Sequence, residues 1–200
     1  MNRVEAALRR IASELDSRQV GWALVGGFAV SARTEPRFTR DVDVAVLVES
    51  DGAAEQLVRS LTAAGYGLRA LVEQDAVGRL ATVRLISPGT GGIGVVVDLI
   101  FATAGIEAEV VAHADVLEIL PAVSMPVATA GHLVALKLLA RDDETRPQDA
   151  ADLRALASVL GPEDRTTARI AVGLIVERGF ARGRSLSALL DEYLDHAATA

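Results

Sequence analysis

The chain has 200 residues, half of them apolar, and a formal charge of -7, enough for one sizeable core but not the basic balance of an indiscriminate phosphate binder. It has no cysteine, which excludes disulfides and thiolate metal sites. Its longest apolar stretch, "GIGVVVDLIFATAG", is broken by Asp98 and falls short of the roughly 20 residues a membrane helix needs, so a soluble cytoplasmic protein with no membrane partner is expected.

Residues 2–17 predict an amphipathic helix, with Val4, Leu8, Ile11 and Leu15 on one face and no apolar centre of a signal peptide. "VGWALVGG" reads as a short apolar strand ending in Gly26 and Gly27, and "FAVSARTE" as a short helix closed before Pro36. "DVDVAVLVES" follows as a strand and "DGAAEQLVRSLTAAG" as a helix. "LATVRLIS" and "IGVVVDLIFA" are two further strands around the turn-rich "PGTGG". This order implies an α+β sheet with helices on one face. From about residue 129 the pattern changes to four helical segments, beginning at "TAGHLVALKLLARDDE", "PQDAADL", "PEDRTTA" and "SLSALL". The expected organisation is a mixed core over residues 1–128 and a helical C-terminal lobe over 129–200.

"RFTRDVDVAVLV" places Asp41 and Asp43 one residue apart at the start of a strand, so both side chains share a face roughly 6 to 7 Å apart. At an effective dielectric of about 20 they would repel by about 2.5 kcal/mol. A divalent cation turns that repulsion into affinity, and Mg²⁺ favours one or two carboxylates with phosphate oxygens and water. The alternative is a solvated strand end. Asp98 lies within an apolar run, where an unpaired carboxylate costs several kcal/mol; an arginine or the same metal would satisfy it if the strands are neighbours.

Gly26 and Gly27, between a strand and a helix, let backbone amides approach a phosphate, or form only a tight turn. Thr39 offers a hydroxyl to the same phosphates, and Arg37 or Arg40 offers charge. Of the 20 basic residues only Lys137 is lysine, and it shares a helix face with Arg141. A polyanion would relieve that pair; a snorkelling surface lysine is the alternative. In "RPQDAADL" the first-turn Asp149 complements a helix dipole, whereas Asp152 is free to orient Lys137 across a helix pair. His113, His132 and His196 lack metal spacing.

The ordered set G-G, R-x-T-x-D-x-D ("RFTRDVD"), "VVVDLIF", "KLLAR" and "RPQDAAD" resembles the nucleotidyltransferase superfamily built on the DNA polymerase β palm, over roughly residues 20–155. More narrowly it resembles AbiEii-type nucleotidyltransferase toxins, including the mycobacterial tRNA-modifying type. The resemblance implies a polymerase β-like core, a mixed sheet with helices, followed by a helical C-terminal lobe. It also implies Mg²⁺-dependent transfer, with Mn²⁺ as a substitute, of a nucleoside monophosphate from an NTP, pyrimidine by expectation, to the 3' acceptor end of tRNA. Translation would be blocked and a cognate antitoxin would be the protein partner.

By the same resemblance Asp41, Asp43, Lys137 and Asp152 would be catalytic, and Asp41, Asp43 and Asp98 would hold metal. Gly26, Gly27, Ser31, Arg37, Thr39, Arg141 and Asp149 would bind the nucleotide. Two departures stand out: no serine follows the glycine pair, leaving Thr39 or Ser31 to supply a hydroxyl, and Gln148 replaces the lysine usual in the R-x-K-D motif. The acidic net charge requires a local arginine surface for tRNA, for which Arg165, Arg169, Arg178, Arg182 and Arg184 are candidates. An aminoglycoside-like small molecule, a protein side chain as acceptor, or a catalytically silent binding module are the alternative readings.

Overall fold

A computed structural model describes residues 3–74, 79–89, 94–142 and 147–197. Its elements, in order, are α1 (Arg3–Ser17), β1 (Trp22–Val25), α2 (Gly26–Arg33), β2 (Val42–Val46), α3 (Asp51–Ala63), β3 (Gly67–Gln74), β4 (Arg79–Ile86), β5 (Val96–Ile100), α4 (Glu107–Ala112), β6 (Asp115–Leu120), β7 (Val123–Val127), α5 (Ala130–Ala140), α6 (Pro147–Ala157), α7 (Pro162–Glu177) and α8 (Leu186–Ala197). The strands form one sheet in the order β3-β4-β5-β2-β1-β7-β6. β2 therefore occupies the centre, antiparallel to β1 and parallel to β5. The sheet is mixed, and after β7 the described chain is helical.

Alternation along the central strands separates a greasy face from a polar one. Val42, Val44 and Val46 of β2, Val97 and Leu99 of β5, and Val83 and Leu85 of β4 are all fully buried. Leu8, Ile11 and Leu15 of α1 and Leu57 and Leu61 of α3 join the same core. Each such aliphatic side chain contributes about 1.5–3 kcal/mol of burial. The opposite face carries Asp43, Asp98 and Arg84, because residues paired across a sheet point the same way.

Two departures from the sequence reading matter for the site. The helix expected from Phe28 starts at Gly26, so both glycines occupy its first turn, where backbone N–H groups have no partner within the helix. The stretches carrying β3, α4, β6 and β7 had no assignment from the sequence. No described helix is long and apolar enough to cross a membrane. "PGTGG" lies partly, and Arg146 wholly, outside the described residues.

α5 packs against α2, α6, α7 and α8, and it is buried nearly all round. Gly131 makes this possible, since a Cβ there would press into the backbone of Asp164 and Ala168 on α7. His132 is 4% exposed beside it. Burial, reinforced by His113 at 5.9 Å between ring centres, pushes its pKa down to about 4. The unfolded imidazole takes up its proton near 6.5, so the unfolded chain binds more protons between about 6.5 and 4 and is favoured there. Stability should fall by on the order of 3 kcal/mol as pH drops through that window. Urea midpoints measured from pH 7.5 to 4.5 check this, and His132→Gln should flatten the slope.

Candidate active site

The polar face of the sheet is organised by one transverse row. Val25 of β1 pairs with Asp43 of β2, Asp43 with Asp98 of β5, and Asp98 with Arg84 of β4. Gly26 follows Val25 directly, at φ +64°, a left-handed conformation suited to glycine, and a Cβ there would overlap the Asp43 carboxylate. The first glycine is thus required by the aspartate it abuts. At Gly27 a Cβ would stand 2.8 Å from both the Arg37 guanidinium and the Thr39 hydroxyl, so these groups close over the open start of α2.

Above this row lies a cleft of about 850 Å³, within the range of small-molecule sites. Gly26, Gly27, Arg37, Thr39, Asp41, Asp43, Asp98, Lys137 and Asp149 line it, which brings together nine of the residues expected from the sequence. Asp152 stands one layer behind them. Arg37 Nε and Nη2 donate to its two carboxylate oxygens at 2.6 and 2.7 Å. Lys137 Nζ lies 2.7 Å from Asp152 Oδ2 and 2.7 Å from Asp149 Oδ1. Burial alone would raise the Asp152 carboxyl, but the hydrogen bonds from Arg37 and Lys137 outweigh it and hold its pKa below the ordinary value.

Several sequence readings are corrected by this geometry. Lys137 does not snorkel: it is 7% exposed and held between two aspartates. Asp149 is fully buried against Lys137, so its place in the first turn of α6 is not that of a solvated dipole residue. Ser31 does not line the cleft; its hydroxyl accepts from the backbone N–H of Arg37 at 3.3 Å and so holds the segment before β2. Arg141 also lies off the cleft, at the C-cap of α5, where its carbonyl accepts from Arg184.

Asp98 does lie beside Asp43, but Arg84 donates to both its oxygens, at 2.9 and 2.6 Å. Hydrogen bonding and charge from Asp98, with the charges of Asp41 and Asp43, raise the Arg84 pKa. Among the described residues no three carboxylates or imidazoles form a ready-made metal cage. The D-x-D pair fits a hard cation that completes its shell with phosphate oxygens and water.

Arg84 and Glu107 also line the cleft and were not singled out in the sequence; Gln148 and Arg182, noted there for other reasons, line it too. The polar Thr82 and Arg84 alternating with Val83 and Leu85 was a readable signal for Arg84; Glu107 had none. Burial raises the Glu107 carboxyl although it accepts N–H groups from Thr103 and Ala104, both at 2.7 Å. The C-terminal arginines expected to form a nucleic-acid surface make tertiary contacts, with Arg169, Arg178 and Arg182 still exposed. Arg165 donates to the carbonyls of Leu194 and Ala197, Arg169 pairs with Asp191, Arg178 with Glu109, and Arg184 reaches the carbonyls of Leu139 and Arg141. Arg182, which donates to the Thr103 carbonyl, is the member of this group that reaches the cleft.

Comparison with solved structures identifies the fold. An antigenic nucleotidyltransferase-like protein from Paracoccidioides brasiliensis aligns with a TM-score of 0.56 at 18% identity, over 96% of this chain and 92% of its own. The antibiotic-resistance factor ANT(2'')-Ia aligns with a TM-score of 0.50 at 20% identity, over 98% and 100%. The lincosamide antibiotic adenylyltransferase LnuA, solved with lincomycin, aligns with a TM-score of 0.50 at 15% identity, over 80% and 100%. These likenesses show the polymerase β-like nucleotidyltransferase fold. No curated protein matches the sequence significantly. The family model for the nucleotidyl transferase AbiEii toxin of type IV toxin–antitoxin systems matches residues 6–198, and the chain belongs to that family.

Proposed function

We propose that this protein is a toxin that transfers a nucleoside monophosphate from an NTP to the 3' acceptor end of tRNA in a divalent-metal-dependent reaction, blocking translation, with a cognate antitoxin as its protein partner. The observation that carries the reading is the transverse row: Asp43 of β2 abuts the glycine start of α2, and Asp41, just before the strand, lines the same cleft with Arg37, Arg84 and Lys137. Asp41 and Asp43 would hold Mg²⁺, or Mn²⁺ in its place, which when bound offsets triphosphate charge and favours ionisation of the attacking hydroxyl.

The chain's own residues do the rest. The amides opening α2 and the Thr39 hydroxyl donate to phosphate oxygens, and Gly27 leaves room for them. Lys137, held by Asp149 and Asp152, presents a fixed positive charge toward the leaving pyrophosphate. Asp152 also fixes Arg37, so one carboxylate sets the direction of two cations. Arg84, tied to Asp98, balances the carboxylates on the sheet side. Such pre-set charges need no reorganisation as the acceptor hydroxyl attacks the α-phosphorus and the bond to pyrophosphate breaks.

The described lining holds five cations (Arg37, Arg40, Arg84, Lys137 and Arg182) against five carboxylates (Asp41, Asp43, Asp98, Glu107 and Asp149). The lining is thus charge-balanced where the chain as a whole carries -7, and a divalent cation on Asp41 and Asp43 would tip it toward a triphosphate and an anionic acceptor. The fold shared with LnuA supports a second reading, a small-molecule acceptor in the same cleft. Incubating the protein with total tRNA, Mg²⁺ and each labelled NTP, beside Asp41→Ala, tests the first. Label on tRNA that is absent from the control supports it and names the base; no label from any NTP overturns it.

A further inference from the structure

Phe38 is 75% exposed, the most exposed large hydrophobic among the described residues, yet it lines the cleft. It stands in the segment between α2 and β2, and both its neighbours point inward. Arg37 and Thr39 meet over Gly27, and Phe38 between them is turned to the outer side of the cleft mouth. The segment is anchored. The Arg37 backbone N–H donates to Ser31, its guanidinium holds Asp152, and its Nη1 donates to the Phe38 carbonyl at 3.2 Å. The ring's exposure is therefore imposed by contacts on either side of it. Arg40 lies over the ring, 5.7 Å from its centre, and with the side chain so exposed the ring remains open to solvent elsewhere.

An anchored, solvent-facing aromatic paired with a guanidinium, at the mouth of the cleft, is the arrangement on which an unpaired nucleobase stacks while its phosphate meets the arginine. We propose that Phe38 and Arg40 form a stacking platform for an unpaired base of the acceptor strand. The inference rests on the acceptor being a nucleic acid. An NTP could offer the same base chemistry, but the proposed triphosphate position is on the inner side with Arg37 and Thr39, whereas a strand arriving from solvent passes the outer side first.

The test is equilibrium binding at one fixed salt concentration, read as anisotropy of a fluorescein-labelled RNA hairpin with an unpaired 3' tail, beside the same hairpin made blunt. Phe38→Ala should weaken binding of the tailed RNA about tenfold and leave the blunt hairpin unchanged. Phe38→Trp should retain tight binding, and Phe38→Leu, apolar but without a stacking face, should not. Calorimetric titration with NTP should give the same affinity for wild type and Phe38→Ala, and so exposed a side chain should leave the unfolding transition in place. Tailed-RNA binding that is indifferent to Phe38→Ala overturns the platform and leaves the function standing. A loss confined to NTP overturns the assignment to the acceptor. Failure of the wild type to bind either RNA overturns the nucleic-acid acceptor and the platform with it.

Discussion

Asp41→Asn is expected to lower nucleotide transfer at least about 1,000-fold while leaving the folded protein as stable as before, or more so. The first half follows from the role proposed for the pair: a bound cation stabilises developing charge by several kcal/mol, and each 1.4 kcal/mol is tenfold in rate. The second half follows from the charges in the cleft. Asp41, Asp43 and Asp98 share the cleft, and the bidentate bonds of Arg84 are spent on Asp98. Removing one like charge from this group relieves repulsion and breaks no ion pair that Asp41 makes with the described residues. Transfer of label to tRNA and a thermal melt, run on the same preparation, read both quantities. A stability loss of several kcal/mol would instead assign Asp41 a structural ion pair and overturn its proposed role.

That separation of activity from stability marks what was legible in the sequence. Asp41 and Asp43 could be placed on one face because strand spacing is a local rule, and Lys137 drew notice as the single lysine of the chain. Asp98 called for a partner because an apolar run surrounds it. Which partner it found depended on register between β4 and β5, a non-local quantity that no spacing within either strand encodes. The position of α2 was misread by two residues for a related reason: glycine argues for a turn by propensity, and only packing against Asp43 makes it the first turn of a helix.

Other elements escaped because their local signals conflict with their place in the fold. β7 contains Pro126, a residue that argues against a strand inside a sheet, yet it lies between β1 and β6. β6, at the sheet edge, lacks the clean alternation of a half-buried strand. α4 has six residues, too few for a helical period to show. The C-terminal arginines teach the same point from the other side. Composition showed an abundance of guanidinium groups, but tertiary contacts decide that most of them bind the protein's own carbonyls and carboxylates.

Asp152→Ala should do the opposite of Asp41→Asn and reduce stability and activity together. Asp152 is 1% exposed and bridges two cations on different parts of the chain, Arg37 before β2 and Lys137 on α5. Its removal leaves Lys137, itself 7% exposed, with Asp149 as its remaining partner of the two, and loosens the Arg37 guanidinium that closes over Gly27. Breaking a buried pair by deleting one partner costs about 3–5 kcal/mol, because the remaining charge stays in a poor solvent. Denaturant midpoints of Asp152→Ala, Lys137→Met and the double variant form a cycle, and the double variant should be less destabilised than the sum of the two singles.

The pH dependence adds an independent check. The folded Asp152 pKa is held below its ordinary value of 3.8, so the carboxylate contributes stability that is fully present above that value. This contribution is lost as pH falls through the depressed folded value, and Asp152→Asn should flatten the stability profile below about pH 4. If transfer falls in Asp152→Asn at pH 7 while its midpoint stays near that of the wild type, the carboxylate acts by directing Lys137 and Arg37 and not merely by holding α5 to α6.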